Sequence, residues 1–185
     1  MSGDRPASPI AVDLLLQVAE EADRYALHAA LDARFGRRGA AGYLWALGRV
    51  AEGPAVRVRL PPDHPEATGG LPITAPTEGA SFAFRLAANI TRKDGRSGHR
   101  RAWPRDETRP REAWLCRRAA EHGFRVEAAA LDIGRVFIRK RPGFWLDETV
   151  FTGTLAVTDA GRFAAALAGG VGQRGAFGFG LLETF

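Results

Sequence analysis

Between Ser81 and Ile90 apolar side chains fall on every second residue, with Phe82, Phe84, Leu86, Ala88 and Ile90 on one side. A period of two over that length predicts a half-buried strand. The same alternation sets Val56, Val58 and Leu60 against Arg57 and Arg59, so 55–60 reads as a strand, paired with 43–50 across Gly53-Pro54. Residues 10–18 also read as a strand, although Asp13 and Gln17 make its pattern uneven. The period changes over 20–35, where Leu27, Leu31 and Phe35 recur at helical spacing before Gly36 stops the helix. Residues 61–79 are rich in Pro and Gly and predict an outward loop.

The second half repeats the order. Pro110 suits the first position of a helix that ends before Gly123. Strands are predicted over 124–133, 135–141 and 144–157, with a turn at Pro142-Gly143, then a helix capped by Asp159 and a final apolar strand. Residues 91–109 are charged, with turn chemistry at Asp94-Gly95, and predict a linker. The reading is therefore a loose tail over 1–9, one domain over 10–90, a basic linker over 91–109 and a second domain over 110–185. Strand, helix, strands, twice over, predicts an α+β protein of two tandem ferredoxin-like (RRM-like) domains with antiparallel sheets. The first lacks an evident second helix.

With 185 residues and 45% hydrophobic content the chain can bury a core of that size. Charge sharpens the picture. The net charge is +5, yet residues 85–118 alone carry eleven Lys/Arg against four Asp/Glu, so the rest of the chain is slightly acidic. Only Lys93 and Lys140 are lysines, and arginine is the better residue for bidentate phosphate contact and for stacking on bases. An anionic partner such as nucleic acid follows from the clustering; the preference for Arg over Lys alone also fits GC-rich coding. Cys116 is the only cysteine, which excludes a disulfide framework and a cysteine zinc site and fits a reducing cytoplasm. The apolar run 10–19 is short and broken by Asp13, so neither a signal segment nor a membrane span is expected.

On the first helix, 100° per residue brings Tyr25, His28 and Asp32 within an arc of about 60°. A neutral imidazole can take or give a proton near neutral pH, a tyrosine three residues earlier can reach the same reacting group, and Asp32 can orient the ring. An exposed helix face with ordinary surface residues is the alternative that this helix alone leaves open. His64 among prolines, His99 in the basic segment and His122 at a helix end, where the dipole favours a cation, read as structural or electrostatic. No carboxylate cluster or His/Cys spacing suggests a metal, and no cofactor is expected.

Two further stretches bear on binding. Arg135, Phe137, Arg139 and Arg141 alternate along one predicted strand and form a basic stripe with an aromatic, joined by Lys140. An edge strand using Arg against aggregation is the alternative. From Gly170 to Gly180 the chain reads Gly-Val-Gly-Gln-Arg-Gly-Ala-Phe-Gly-Phe-Gly, and a run so poor in Cβ atoms admits close backbone approach to an anion, with phosphate the natural one. The glycines are Gly170, Gly172, Gly175, Gly178 and Gly180. The order helix, glycines, strand excludes a Rossmann fingerprint or a P-loop, in which the strand comes first. A plain connector is the alternative.

Taken together, Tyr25-Ala26-Leu27-His28-Ala29-Ala30-Leu31, Phe84-Arg85-Leu86-Ala87-Ala88-Asn89, Ala113-Trp114-Leu115 and the Gly-Val-Gly…Phe-Gly-Phe-Gly-Leu-Leu ending resemble the CRISPR repeat-processing endoribonucleases, the CasE subunit of type I-E Cascade within the RAMP superfamily. The four blocks occur in order over residues 25–182. Ile90 stands where that family usually has Pro, and Gly175 where it usually has Lys or Arg. The resemblance implies two ferredoxin-like domains and metal-independent cleavage at the base of a repeat stem-loop, leaving a 2′,3′-cyclic phosphate on an RNA that stays bound. It implies His28 as the acid/base residue and Tyr25 as its partner. Arg92, Lys93, Arg96, Arg100, Arg101, Arg135, Arg139, Lys140, Arg141 and Arg174 are the expected RNA contacts, and other Cascade subunits the expected partners, with no membrane. A non-catalytic RNA-holding subunit and a general RNA-binding ferredoxin-like module are the competing readings.

Overall fold

The computed structural model describes residues 8–19, 22–95, 98–173 and 176–185. The first unit contains β1 (Ala11–Gln17), α1 (Arg24–Phe35), the short α2 (Arg38–Ala41), β2 (Leu44–Val50), β3 (Gly53–Leu60) and β4 (Leu71–Ile73). Its sheet runs β2-β3-β1-β4, with every pair antiparallel. That is the ferredoxin-like order, except that a single 3₁₀ turn, Pro65–Ala67, stands where the second crossover helix would be. The helix α1 starts at Arg24 rather than at the predicted Glu20, because the Asp23 carboxylate accepts the amides of Tyr25 (3.0 Å) and Ala26 (3.1 Å) and so caps it there. It ends where expected, at Gly36 with φ +86°. Leu31 and Phe35 then pack with Tyr43, Trp45, Val56 and Val58 in the first core.

The second unit is β5 (Ser81–Ala88), β6 (Thr91–Lys93), β7 (Arg100–Ala102), α3 (Arg109–Glu121), β8 (Phe124–Ile138), β9 (Phe144–Val157), α4 (Ala160–Gly169) and β10 (Leu182–Thr184). Its sheet runs β10-β5-β9-β8, again the ferredoxin-like order. Three expectations are corrected here. The strand 81–90 belongs to this unit, since β5 pairs with β9 and β10 and with no strand of the first sheet, so the boundary falls before it and not at 91–109. The charged 91–109 segment is no simple linker; its ends pair as the β6–β7 hairpin, Arg92 opposite Arg101. And β8 runs unbroken through Gly134 to Ile138, so Arg139 and Arg141 lie in the turn beyond it and do not share a strand face with Arg135 and Phe137.

The units meet along a charged, largely buried seam. Arg57 and Arg59 alternate with apolar core residues of β3 and would conventionally face water. They face the second domain instead. Arg59, 2% exposed, grips Asp13 through Nε (2.7 Å) and Nη2 (2.8 Å) and donates Nη1 to the carbonyls of Leu167 (3.0 Å) and Leu182 (2.8 Å). A buried charge is tolerable only when so fully paired. Glu183 binds Arg57 (3.1 Å) and Arg85 (2.7 Å), and Arg85 donates to the Leu47 carbonyl (3.2 Å). Leu44, Ala46 and Leu181 form a small apolar cluster within the same seam.

The glycine-rich ending is built into this seam. Gly170, Gly172, Gly178 and Gly180 all have φ between +80° and +87°. A Cβ on Gly178 would lie 2.8 Å from Trp45, one on Gly172 2.7 Å from Trp114, and one on Gly170 2.8 Å from the Gly180 carbonyl. The amides of Gly170 and Gly180 already donate to Ala166 and Ala87, both at 2.8 Å. At these two positions the expectation of amides turned to a phosphate is therefore corrected: they are satisfied internally, and Gly178 and Gly180 are buried. Gly175 and Arg174 lie outside the described residues, as does Arg96.

Candidate active site

The first turn of α1 is held by the second domain. Besides capping the helix, Asp23 accepts the Arg139 amide at 3.3 Å. Arg24, 8% exposed, pairs with Glu148 (2.5 Å), donates to the Phe177 carbonyl (3.0 Å) and lies over the Phe179 ring. A cation in the first turn works against the helix dipole, which is the sequence signal that Arg24 has another task. Tyr25, next along, is 38% exposed, with the Lys140 ammonium 6.0 Å from its ring.

One turn on, His28 Nε2 faces Asp32 Oδ2 at 3.6 Å. Its Nδ1 is buried with no hydrogen-bond partner among the described residues, and its ring stands edge-on to Phe177, centroids 6.1 Å apart. Asp32 is itself fixed from behind: Oδ1 accepts the Tyr43 hydroxyl (2.5 Å) and the Arg38 amide (3.1 Å). Burial pushes the Asp32 carboxyl upward, but the Tyr43 and Arg38 hydrogen bonds and the charges of His28 and Arg38 outweigh it and hold the group below its usual range. Burial and the same hydrogen bond push the Tyr43 phenol well above its usual value, so Tyr43 is a neutral donor throughout the physiological range. His28, Asp32, Arg37, Arg38, Tyr43 and Ala176 are among the residues around an open cavity of about 470 Å³. A slightly larger hollow of about 540 Å³, between β1 and Thr68–Leu71, brings no such acid–base pair together. The arrangement is an imidazole beside a fixed carboxylate in a hollow that two arginines help to line.

The sequence singled out Tyr25, His28 and Asp32, and the structure puts the latter two together; Arg24, Arg37, Arg38 and Tyr43 were missed. Tyr43 carries no local signal, because its link to Asp32 depends on how β2 follows α2. Among the described residues, the remaining expected contacts fall on two hairpins. On β6–β7, Arg92 stacks over Trp103 (4.9 Å), Arg100 Nε donates to Thr91 Oγ1 (2.8 Å), Arg101 pairs with Asp94 (2.9 Å), and Lys93 is exposed. On β8–β9, Arg135, Arg139, Lys140 and Arg141 are all exposed. His64 accepts the Glu66 amide through Nδ1 (3.1 Å), a structural role as expected. Burial first, and the charge of Arg118 second, push the His122 pKa down, against the pull of the helix dipole.

Two four-stranded antiparallel sheets of ferredoxin-like order, with a histidine–aspartate pair on the first crossover helix, define a tandem ferredoxin-like protein with a candidate acid–base site. The chain belongs to the CRISPR-associated protein family, whose profile matches residues 8–184. Among solved structures it is similar to Thermus thermophilus Cse3 bound to an RNA representing a pre-cleavage complex, at 28% identity over 95% of this chain and 98% of that one, TM-score 0.74. It is similar also to the CRISPR endoribonuclease Cse3 bound to a 19-nucleotide RNA, at 26% identity over 95% and 99%, TM-score 0.75. The CRISPR-associated protein Cas6e from Escherichia coli K-12 shares the fold, at 20% identity over 94% and 97%, TM-score 0.65. No curated protein matches. No helix among the described residues is long and apolar enough to cross a membrane.

Proposed function

We propose that the chain is an endoribonuclease that cuts CRISPR precursor RNA at the base of the repeat stem-loop and keeps the hairpin, working in the cytoplasm with other subunits of a Cascade-type complex. The observation that carries this is His28 Nε2 facing Asp32 at 3.6 Å beside an open cavity, in a chain similar over nearly its whole length to Cse3 bound to an RNA representing a pre-cleavage complex. In the reaction the 2′-hydroxyl loses its proton and attacks the adjacent phosphorus, the bond to the 5′-oxygen breaks, and that oxygen takes up a proton. The products are a 2′,3′-cyclic phosphate and a 5′-hydroxyl. His28 moves a proton at one of the two oxygens, and Asp32 balances the charge of the imidazolium form. Arg37 and Arg38 at the cavity edge supply positive charge for the phosphorane, and the Tyr25 hydroxyl is available to the same reacting group. That chemistry calls for proton transfer and charge stabilisation from side chains and needs no metal.

The test is single-turnover cleavage of repeat RNA in EDTA, with His28→Ala beside wild type. The variant should lose about 10²- to 10⁴-fold in rate, the contribution of one general acid or base, while binding the hairpin as wild type does. A 2′-deoxy sugar at the scissile position must block cutting. Wild-type protein that binds the repeat but never cuts it would put the RNA-holding reading in place of this one, and a His28→Ala variant at full rate would remove the histidine from the mechanism.

A further inference from the structure

The pairing of β9 with β5 begins at Thr149, so from Phe144 to Glu148 the β8–β9 pair projects as a two-stranded ribbon beyond the sheet. Its two sides differ. On one, Phe144 meets Phe177, which touches His28. On the other, Phe137 and Trp145 sit directly opposite in the register, ring centroids 5.1 Å apart, and are 43% and 63% exposed. Arg135 shares their side, two residues back along β8. An exposed tryptophan packed at an interplanar angle of 52° on a second exposed ring is an apolar shelf that no core requirement explains.

The charge around the shelf selects its occupant. Residues 135–145 contain Arg135, Arg139, Lys140 and Arg141 and no carboxylate. The acids that follow are already neutralised: Asp147 is held by the buried Arg111 (2.6 Å) and Glu148 by Arg24 (2.5 Å). The ribbon therefore offers exposed rings flanked by cations whose side chains form no ion pair among the described residues, the combination that takes up single-stranded nucleic acid by base stacking and phosphate pairing. Position supports the same occupant. The tip of the ribbon abuts the start of α1, through the Arg139 amide on Asp23 and Lys140 over Tyr25. A strand leaving the His28 cavity and crossing Arg139–Arg141 reaches the shelf after passing round a ribbon about 10 Å thick, the depth of one sheet layer.

We propose that Phe137 and Trp145 form a stacking shelf for an unpaired base of the RNA strand that flanks the stem, so that the protein binds single strand and hairpin on separate surfaces. The inference rests on the function proposed above for the identity of the RNA, and its test is read independently of cleavage. The probes are a short unstructured oligoadenylate, a repeat stem-loop with blunt ends, and the same stem-loop with a single-stranded flank. Oligoadenylate should quench the fluorescence of wild-type protein. Trp145→Ala should remove that quench and weaken oligoadenylate and flanked hairpin by at least about fivefold, the smaller end of a base–aromatic stack. It should leave the blunt hairpin unchanged. Phe137→Ala should act in the same direction, and Trp145→Tyr should restore most of the binding. Both side chains are exposed, and melting curves check that each variant is folded. Equal loss on blunt and flanked hairpins, or no loss on either, overturns the shelf. If wild type ignores every stem-loop yet binds oligoadenylate through Trp145, the shelf stands and the endoribonuclease reading falls.

Discussion

Replacing Gly178 with alanine separates packing from ligand contact in the glycine-rich ending. Gly178 has φ +80°, and a Cβ there would lie 2.8 Å from Cζ3 and 3.0 Å from Cε3 of Trp45. That indole is 1% exposed and has nowhere to go. The left-handed conformation costs an alanine about 1–2 kcal/mol. Forcing a methyl into a filled contact adds about 1–3 kcal/mol. The expected loss is about 2–5 kcal/mol, a large share of a total stability of about 5–15 kcal/mol. At about 2–4 °C per kcal/mol for a chain of this size, the melting midpoint should fall by about 4–20 °C. Gly79→Ala is the control, since its φ is +83° but nothing lies within 4 Å of the added methyl; it should carry the conformational cost alone. Thermal and urea unfolding of both variants beside wild type measure the difference. If Gly178→Ala is no less stable than Gly79→Ala, the indole contact does not hold the loop and the packing account is refuted. If it keeps its stability and loses RNA, close phosphate approach takes its place.

Arg59→Met should cost about 3–5 kcal/mol in urea unfolding, because it leaves buried Asp13 and the Leu167 and Leu182 carbonyls short of a donor; adding Asp13→Ala should recover part of that loss, and its failure to do so would mean the pair is not coupled. Asp32→Asn should slow single-turnover cleavage by about fivefold to tenfold, the worth of one unit charge at 3.6 Å in a solvent-like dielectric, with hairpin affinity unchanged; an equal fall in rate and affinity would make Asp32 a binding residue instead. His122 has a pKa lowered by burial, so the folded state resists protonating it. Its contribution to stability should be complete above about pH 6.5 and lost as the pH falls through the lower folded value. His122→Asn should flatten the pH dependence of unfolding over that window, and an unaltered curve would show that the ring is not desolvated in solution.

Local patterns carried most of the fold. Period two in β5 and β3, period 3.6 in α1, Gly36 and Asp159 at helix ends all specify geometry within a few residues, and the ferredoxin-like order follows from their succession. What failed were particular assignments that needed partners distant in the chain. The alternation in Ser81–Ala88 declares a strand but not its sheet, and only the pairing of Phe84 with Gly153 and Thr184 assigns it to the second domain. Arg57 and Arg59 look like solvent-facing residues because alternation reports that they leave the core of their own sheet, not what waits on the other side. Gly170 and Gly180 misled for a related reason. Positive φ and absent Cβ atoms serve an anion or an indole equally well, and the two tryptophans that need the space, Trp45 and Trp114, lie far away in the sequence. His28 and Asp32 were legible because both sit on one helix face. Tyr43, which fixes Asp32, was not.

The seam also explains how a single histidine on a surface helix becomes a site. Within the first domain α1 is anchored by Leu31 and Phe35, with Leu27 of its first turn packed, partly buried, against the same core. That first turn carries Tyr25 and leads to His28, and the second domain holds it further: the Arg139 amide on Asp23, and Glu148 and the Phe177 carbonyl on Arg24. Phe177 in turn presents its ring to His28, and it belongs to the ending whose glycines lock against Trp45 and Trp114. The contacts around His28 therefore depend on the two domains being held together, which is what the bonds of buried Arg59 to the Leu167 and Leu182 carbonyls and the Glu183 network accomplish. Separating the domains would leave His28, Asp32, Arg37, Arg38 and Tyr43 together but take the Phe177 ring away from His28 and Ala176 away from the cavity. The ionic seam is thus as much a requirement of the candidate site as the histidine itself.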